Sequence, residues 1–225
     1  MDRSPSCPSR CGSPPAAVAA LVCLSALLLG CPAAPVGDSP ARDSSPDQSP
    51  NSAELFHQLT DVVDLEGRPV NPFEASGAKA VVLLFAKTDC PISNRYAPEV
   101  ARLDKLFRPR GVLFFLVYPD GDEPVAAIRE HLSQYGYTCP ALRDPRHQLV
   151  RLSGARQTPE AAVFLPDGRR VYLGRIDDRF PDFGKVRSQA TRHDLQEALE
   201  AVLAGRVVEP STTPPGGGCY IADMK

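Results

Sequence analysis

Cys90 is the residue whose surroundings best support covalent chemistry. An apolar, partly β-branched run over residues 81–86 precedes it and reads as a buried strand. Pro91 follows at once, and Tyr96, Val100, Leu103 and Phe107 then recur at helical spacing. Cys90 is therefore expected where a strand hands over to a helix. Pro91 would take the first helical position, where its missing N–H goes unused. A thiol there faces the unpaired amides and positive end of the helix, which favour the thiolate. The thiolate is the form that attacks disulfides. Ser93 and Asn94, three and four residues on, share the helix face and are expected to hydrogen-bond the sulfur. Asp89 opposes ionisation, because an adjacent carboxylate disfavours a second negative charge. The competing reading is a buried structural cysteine, a common fate of free thiols.

The other cysteines divide by position. Cys7, Cys11 and Cys23 precede a candidate processing point at Cys31, which leaves Cys90, Cys139 and Cys219 for the mature chain. No Cys-x-x-Cys pair occurs, and no Cys/His group has zinc-finger spacing, so neither a metal nor a cofactor is expected. The histidines His57, His131, His147 and His193 do not pair with a cysteine at ligand spacing and read as surface or helix-end residues. With 43% hydrophobic residues, 23% charged residues and a net charge of −2, the 225-residue chain suits one globular domain with extensions and lacks the basic field that nucleic acid requires.

Residues 1–30 read as an export signal, with Arg3 and Arg10 ahead of an apolar stretch that runs from residue 16 to 29. That stretch is short for a membrane span. Leu28, Leu29 and Gly30 before Cys31 resemble a bacterial lipoprotein signal. Lipidation of Cys31 would tie the chain to a bilayer on the periplasmic or other extracytoplasmic side of the envelope. A plain secretory signal is the alternative, and either one exports the chain to where disulfides persist. Residues 31–53 are rich in Pro, Ser and Asp and read as a disordered tether, roughly 25 Å long as a flexible coil.

The folded domain is expected over residues 54–206. Phe56, Leu59, Val62, Val63 and Leu65 suggest a first strand that turns at residues 66–68. The strand at 81–86 and the Cys90 helix follow. Residues 112–118 suggest a further strand. A helix capped by Asp122, with Pro124 just inside, would bury Val125, Ile128, Leu132 and Tyr135 and stop at Gly136. Residues 139–144 read as extended, and Asp144 as the cap of a short helix containing Pro145 that ends at Gly154. Thr158 and Pro159 precede a hairpin of strands 161–165 and 171–174. Thr191 would cap a last helix with Leu195, Ala198, Leu199, Val202 and Leu203 on its apolar face. Arg175, Asp177, Asp178 and Arg179 read as a solvated, salt-bridged loop. Residues 207–225, with Cys219 after three glycines, read as a flexible tail. This order gives an α/β three-layer fold, a central mixed sheet with helices on both faces and right-handed parallel crossovers.

A cysteine at the N-terminus of the first long helix, Pro98 eight residues later, and Thr158-Pro159 before the hairpin resemble the thioredoxin-like superfamily. Within it the chain is similar to redoxins of the alkyl hydroperoxide reductase and peroxiredoxin type. Asp89, Cys90, Pro91, Ser93 and Asn94, the residues 175–179, Lys185 and the late Cys219 resemble an exported subgroup often labelled thiol-disulfide isomerases. The resemblance implies a cis peptide bond at Pro159 beside the nucleophile, in a loop that binds the partner's chain. Ser93 stands where thioredoxins carry their second cysteine, so no local disulfide can close. Thr88 lies two residues before Cys90, where peroxiredoxins place a threonine three before.

These residues point first to a thiol-disulfide oxidoreductase acting on protein disulfides or thiols. Cys90 is the nucleophile, with Thr88, Asp89, Pro91, Ser93, Asn94, Thr158 and Pro159 in support. Cys139, Cys219 or an external thiol would release the product. The tail from Gly205 to Cys219 is about 14 residues and reaches roughly 45 Å when extended, enough to return to the site. A thiol peroxidase that reduces hydroperoxides through a Cys90 sulfenic acid is the second reading. A non-catalytic scaffold or Cu(I) chaperone is the third.

Overall fold

The computed structural model describes residues 59–74, 76–182, 184–206, 211–213 and 216–221. The expected signal, Cys31, the tether, Phe56 and His57 lie outside the described residues.

The chain runs β1 (Ala80–Phe85), α1 (Pro91–Phe107), β2 (Val112–Tyr118), α2 (Val125–Tyr135), β3 (Ala141–Arg143) and α3 (Gln148–Ser153). It continues through β4 (Gln157–Thr158), β5 (Glu160–Phe164), β6 (Arg170–Gly174), α4 (Asp194–Leu203), β7 (Ser211–Thr212) and β8 (Cys219–Tyr220). Among the described residues the main sheet has the order β3-β2-β1-β5-β6-β7. Strands β1, β2 and β3 are parallel, β5 runs antiparallel to both β1 and β6, and β7 runs parallel to β6. A second, two-stranded antiparallel sheet joins β4 to β8.

All six residues of β1 are buried, because the strand is central and covered on both faces. Alternate side chains enter separate cores. Val82 and Leu84 pack with Tyr96, Val100, Leu103 and Phe107 of α1, Ile128 of α2, and Leu195 and Leu199 of α4. Val81, Leu83 and Phe85 pack with Leu149 and Val150 of α3, with Leu59 and Val62, and with Ile221 of the tail. Helices thus cover both faces of a mixed sheet, as the element order implies. Each fully buried side chain of α1 contributes about 1.5–3 kcal/mol, which holds the helix against the sheet and fixes its first turn at the end of β1.

Several local expectations are corrected. No regular strand forms at residues 59–65. Val63 makes isolated bridges to Pro69 and Arg143, and the Asp64 carboxylate accepts from the N–H groups of Glu66 and Arg68, so the chain turns back too soon for a ladder. Pro124, not Asp122, precedes α2, and the Asp122 N–H is turned onto the Asp120 carboxylate. Thr191 does not cap α4, since its N–H and hydroxyl both go to the Asp178 carboxylate. Asp144 does accept from the first N–H groups of α3, at 2.7 Å from Gln148 and 3.0 Å from Val150, although the helix begins after Pro145.

Leu83 is fully enclosed at the centre of the sheet. Leu83→Ala is expected to lower unfolding free energy by about 2–5 kcal/mol, read as a lower urea midpoint with unchanged slope.

Candidate active site

Parallel β1 and β2 end on the same edge of the sheet, so the segments that follow them meet. Ala86 N–H donates to Val117 O at 2.9 Å, and Thr88 N–H donates to the buried Glu123 carboxylate at 2.8 Å. Cys90 is the residue before the first turn of α1, with Pro91 opening the helix as expected. β5 pairs antiparallel with β1, Phe85 opposite Glu160, and so brings the preceding Thr158-Pro159 cis peptide beside Cys90. The Cys90 thiol donates to Thr158 O at 3.1 Å.

The tail completes the site. Instead of remaining free, residues 219–220 pair antiparallel with 157–158, with Thr158 opposite Cys219. This seats the Cys219 thiol close enough to Cys90 to donate to its thiolate. Gln157 Nε2 donates to Gly216 O at 2.7 Å, Gly217 N–H to Phe180 O at 2.9 Å, and Ile221 N–H to Arg156 O at 3.0 Å. The three glycines are required by close approach. A Cβ at Gly216 would stand 2.6 Å from Phe180 O, one at Gly217 2.8 Å from Asp182 O, and one at Gly218 2.6 Å from Thr158 O. Covered by this strand, Cys90 has 0% exposure, while Cys219 is half-buried.

Burial pushes the Cys90 thiol up. Hydrogen bonds from the Cys219 thiol, from the Ser93 hydroxyl and N–H, and from the Thr158 side chain outweigh it and leave the thiol below its ordinary value. The contact with the Thr158 carbonyl works the other way, since it needs the proton on sulfur. Ser93 Oγ is buried with no hydrogen bond of good geometry, so its bias on the sulfur is the only polar use the hydroxyl has here. Cys219 is pushed up to about 11 by burial, by donating to Cys90 and by the nearby Asp89 carboxylate. Asp89 itself is exposed and pairs with Lys87 at 3.4 Å, and its field reaches Cys219.

Asn94 does not reach the sulfur. Its Nδ2 donates to Thr88 O at 3.1 Å and to Tyr135 OH at 3.2 Å, which leaves Oδ1 to accept from His131 Nε2 at 2.7 Å. His131 Nδ1 then accepts from Tyr118 OH at 2.8 Å, an assignment that follows from the network. Burial holds the imidazole below its ordinary pKa, and so neutral. His131 is thus a buried tie between β2, α2 and the Thr88 loop, where a surface residue was expected. His147 and His193 do lie at helix ends.

Cys139 is not brought to Cys90. It is buried beside Asp104 in the last turn of α1 and Arg108 just after it, and burial together with the Asp104 charge pushes it up to about 12. Residues 175–179 are also not the solvated loop expected. Asp177 is 1% exposed, accepts from Tyr96 OH at 2.6 Å and pairs with Arg179 at 3.0 Å, while Arg175 pairs with Asp194 at 2.7 Å. This ties the 175–180 segment to α1. It presents Phe180 edge-on to Tyr96 and its carbonyl to the tail. Glu160, also missed, accepts from Arg156 N–H at 2.8 Å and shapes the loop around Pro159. Among the described residues the one group with metal-ligand spacing, Glu99, Asp177 and His193, contains no cysteine, and its carboxylates already bind Arg102 and Arg179.

The AhpC/TSA family profile matches residues 52–171, more than half of the chain. The chain belongs to the AhpC/TSA family. Two curated relatives named thiol-disulfide oxidoreductase ResA, from Bacillus thuringiensis (strain Al Hakam) and Bacillus anthracis, are 27% identical over 110 residues. That match spans 49% of this chain and 62% of each relative. A hypothetical protein of Sinorhizobium meliloti 1021 superposes with a TM-score of 0.60 at 25% identity, covering 71% of this chain and 88% of that one. An uncharacterized conserved protein of Geobacillus kaustophilus gives the same score and identity over 72% and 86%. The fold is thioredoxin-like, with a mixed central sheet flanked by helices.

Two outcomes are expected. Cys219→Ala removes a donor to the Cys90 thiolate, so the protonated form gains and the thiolate absorbance of Cys90 should appear at higher pH; a shift to lower pH would contradict the assignment. Gly218→Ala forces a methyl group against Thr158 O. It should speed alkylation of Cys90 by iodoacetamide about tenfold, through easier local opening of β8.

Proposed function

We propose that this AhpC/TSA-family chain is a thiol-disulfide oxidoreductase in which Cys90 attacks and Cys219 resolves. The observation that carries this reading is the seating of Cys219 on Cys90 by the β4–β8 pairing. The names of the two Bacillus relatives support the same reaction class. With β8 lifted, the Cys90 thiolate attacks one sulfur of a protein disulfide. A mixed disulfide forms, and the other substrate sulfur leaves as a thiolate. When β8 returns, Cys219 loses its proton to solvent and attacks the Cys90 sulfur. The substrate's remaining sulfur leaves as a thiolate, and a Cys90–Cys219 disulfide remains. Ser93 and the start of α1 stabilise the Cys90 thiolate, the Asn94–His131 network holds the loop before it, and the Thr158-Pro159 loop pairs with the extended chain of the substrate. Cys139 takes no part.

A hydroperoxide-reducing reading uses the same pair. The peroxide oxygen is transferred to Cys90 with release of an alcohol or water, and Cys219 then displaces water from the sulfenic acid. The unpartnered Ser93 hydroxyl beside the sulfur favours it, as a donor to the sulfenate oxygen. Export and attachment to a bilayer through Cys31 remain part of the proposal, on the pattern of residues 1–31.

Cys90→Ser is expected to abolish reduction of insulin disulfides. Cys219→Ser should instead accumulate a Cys90–substrate mixed disulfide that dithiothreitol releases. Full turnover by Cys90→Ser would end this reading. A sulfenic acid on Cys90 trapped at micromolar hydroperoxide, with no insulin reduction by the wild type, would favour the peroxidase.

A further inference from the structure

For Cys90 to form a mixed disulfide, the substrate sulfur has to reach the place that the Cys219 sulfur now fills. The edge of β4 constrains the chain around that sulfur. When β8 lifts, Arg156 O loses the Ile221 N–H at 3.0 Å and Phe180 O loses the Gly217 N–H at 2.9 Å. The amide of buried Gln157 loses Gly216 O at 2.7 Å. Such groups are costly to leave unpaired, and an extended chain in the same register restores all three bonds. The tail therefore displays, residue by residue, what this edge accepts.

We propose that residues 216–221 are an internal copy of the substrate's chain, and that the site selects protein disulfides whose attacked cysteine follows glycine in an extended segment and stands two residues before a branched aliphatic side chain. The proposal rests on the oxidoreductase reading above and adds its specificity. Ahead of the cysteine there is no room. A Cβ at Gly218 would stand 2.6 Å from Thr158 O, the carbonyl that receives the Cys90 thiol, and one at Gly217 2.8 Å from Asp182 O. Thr158 O is held between β4 and β5, and the segment leading to Asp182 is tied to α1 through Asp177 and Tyr96. Beyond the cysteine, side chains alternate across the strand. Tyr220 is 83% exposed, so that position is indifferent. Ile221 turns inward, 8% exposed, and joins the core of Leu59, Val62 and Val150, so that position takes an aliphatic side chain. The Cys90 thiolate attacks the substrate sulfur seated opposite Thr158, the substrate's S–S bond breaks, and its other sulfur leaves as a thiolate. Until it is displaced, the tail competes for the same edge, so chains that match poorly do not reach Cys90.

The test uses the full chain with Cys219→Ser, which keeps β8 but cannot resolve, and synthetic peptides whose cysteine is linked by a disulfide to thionitrobenzoate. Attack on the peptide sulfur expels thionitrobenzoate, whose colour gives the rate. The peptide Gly-Gly-Gly-Cys-Tyr-Ile is expected to react about tenfold faster than Gly-Gly-Ala-Cys-Tyr-Ile, and about tenfold faster than Gly-Gly-Gly-Cys-Tyr-Ser. Gly-Gly-Gly-Cys-Ser-Ile should match the first. Rates that are equal across the series, yet vanish when Cys90→Ser is added, would overturn the specificity and leave the oxidoreductase reading standing. Rates that persist with Cys90→Ser would remove the nucleophile and sink both. Adding Ile221→Ser to the Cys219→Ser chain loosens the tail and should raise the rate with the first peptide about fivefold. A rate that stays the same or falls would overturn the tail as competitor.

Discussion

Thr158 holds two sulfurs in register. Its carbonyl receives the thiol of Cys90, and its backbone is the strand partner of Cys219. Every other feature of the site serves that arrangement. The antiparallel pairing of β5 with β1 sets how far the Thr158-Pro159 loop stands from the end of β1. The burial of α1 against β1 sets where that helix begins, and so where Cys90 sits. The Glu160 carboxylate, closing onto Arg156 N–H, sets the shape of the loop between α3 and β5. A shift in any of these would separate the sulfurs without removing either.

The 175–182 segment is the second support, and its cost explains its form. Asp177 is an almost wholly buried carboxylate, which would be expensive if left alone. It accepts from Tyr96 and pairs with Arg179, and removing one partner of such a group typically costs about 3–5 kcal/mol. Arg175 with Asp194 is a second enclosed pair. The return for this desolvation is position. The segment is bound to α1 and to the start of α4, so the carbonyls of Phe180 and Asp182 form a rigid wall for the tail. One charged cluster thereby links the helix that follows Cys90 to the loop that seats the tail.

The central framework was legible because its signals are local and repeated. Continuous apolar strands, the helical recurrence of Tyr96, Val100, Leu103 and Phe107, and Pro91 just after Cys90 place that cysteine without reference to distant residues. The rest was hidden where the deciding partner is remote. Spacing puts Asn94 on the face of Cys90, but not whether it turns to the sulfur or to His131, which lies in another helix. His131 gave no sign of burial, because its acceptor role depends on Tyr118 in a strand. Cys139 stood beside Cys219 as a candidate resolving thiol, since sequence distance does not say which end of α1 a loop approaches. The two-residue strand at Cys219 is too short for any period, and its glycines read as freedom rather than fit. The first-strand reading failed on a short alternation that Val63 interrupts by bridging in two directions.

The three glycines that admit the tail also set how firmly it stays. Each must surrender more backbone freedom than any other residue, about 1–2 kcal/mol apiece, and contributes no side-chain contact in return. Against this stand one short ladder, a few lateral hydrogen bonds and the anchoring of Ile221 in the lower core. These contacts are few, so β8 is held less firmly than the strands of the main sheet. In the proposed reaction Cys219 would thus act as an internal reagent, close to Cys90 yet able to withdraw, and a bond between the sulfurs would hold the clasp closed.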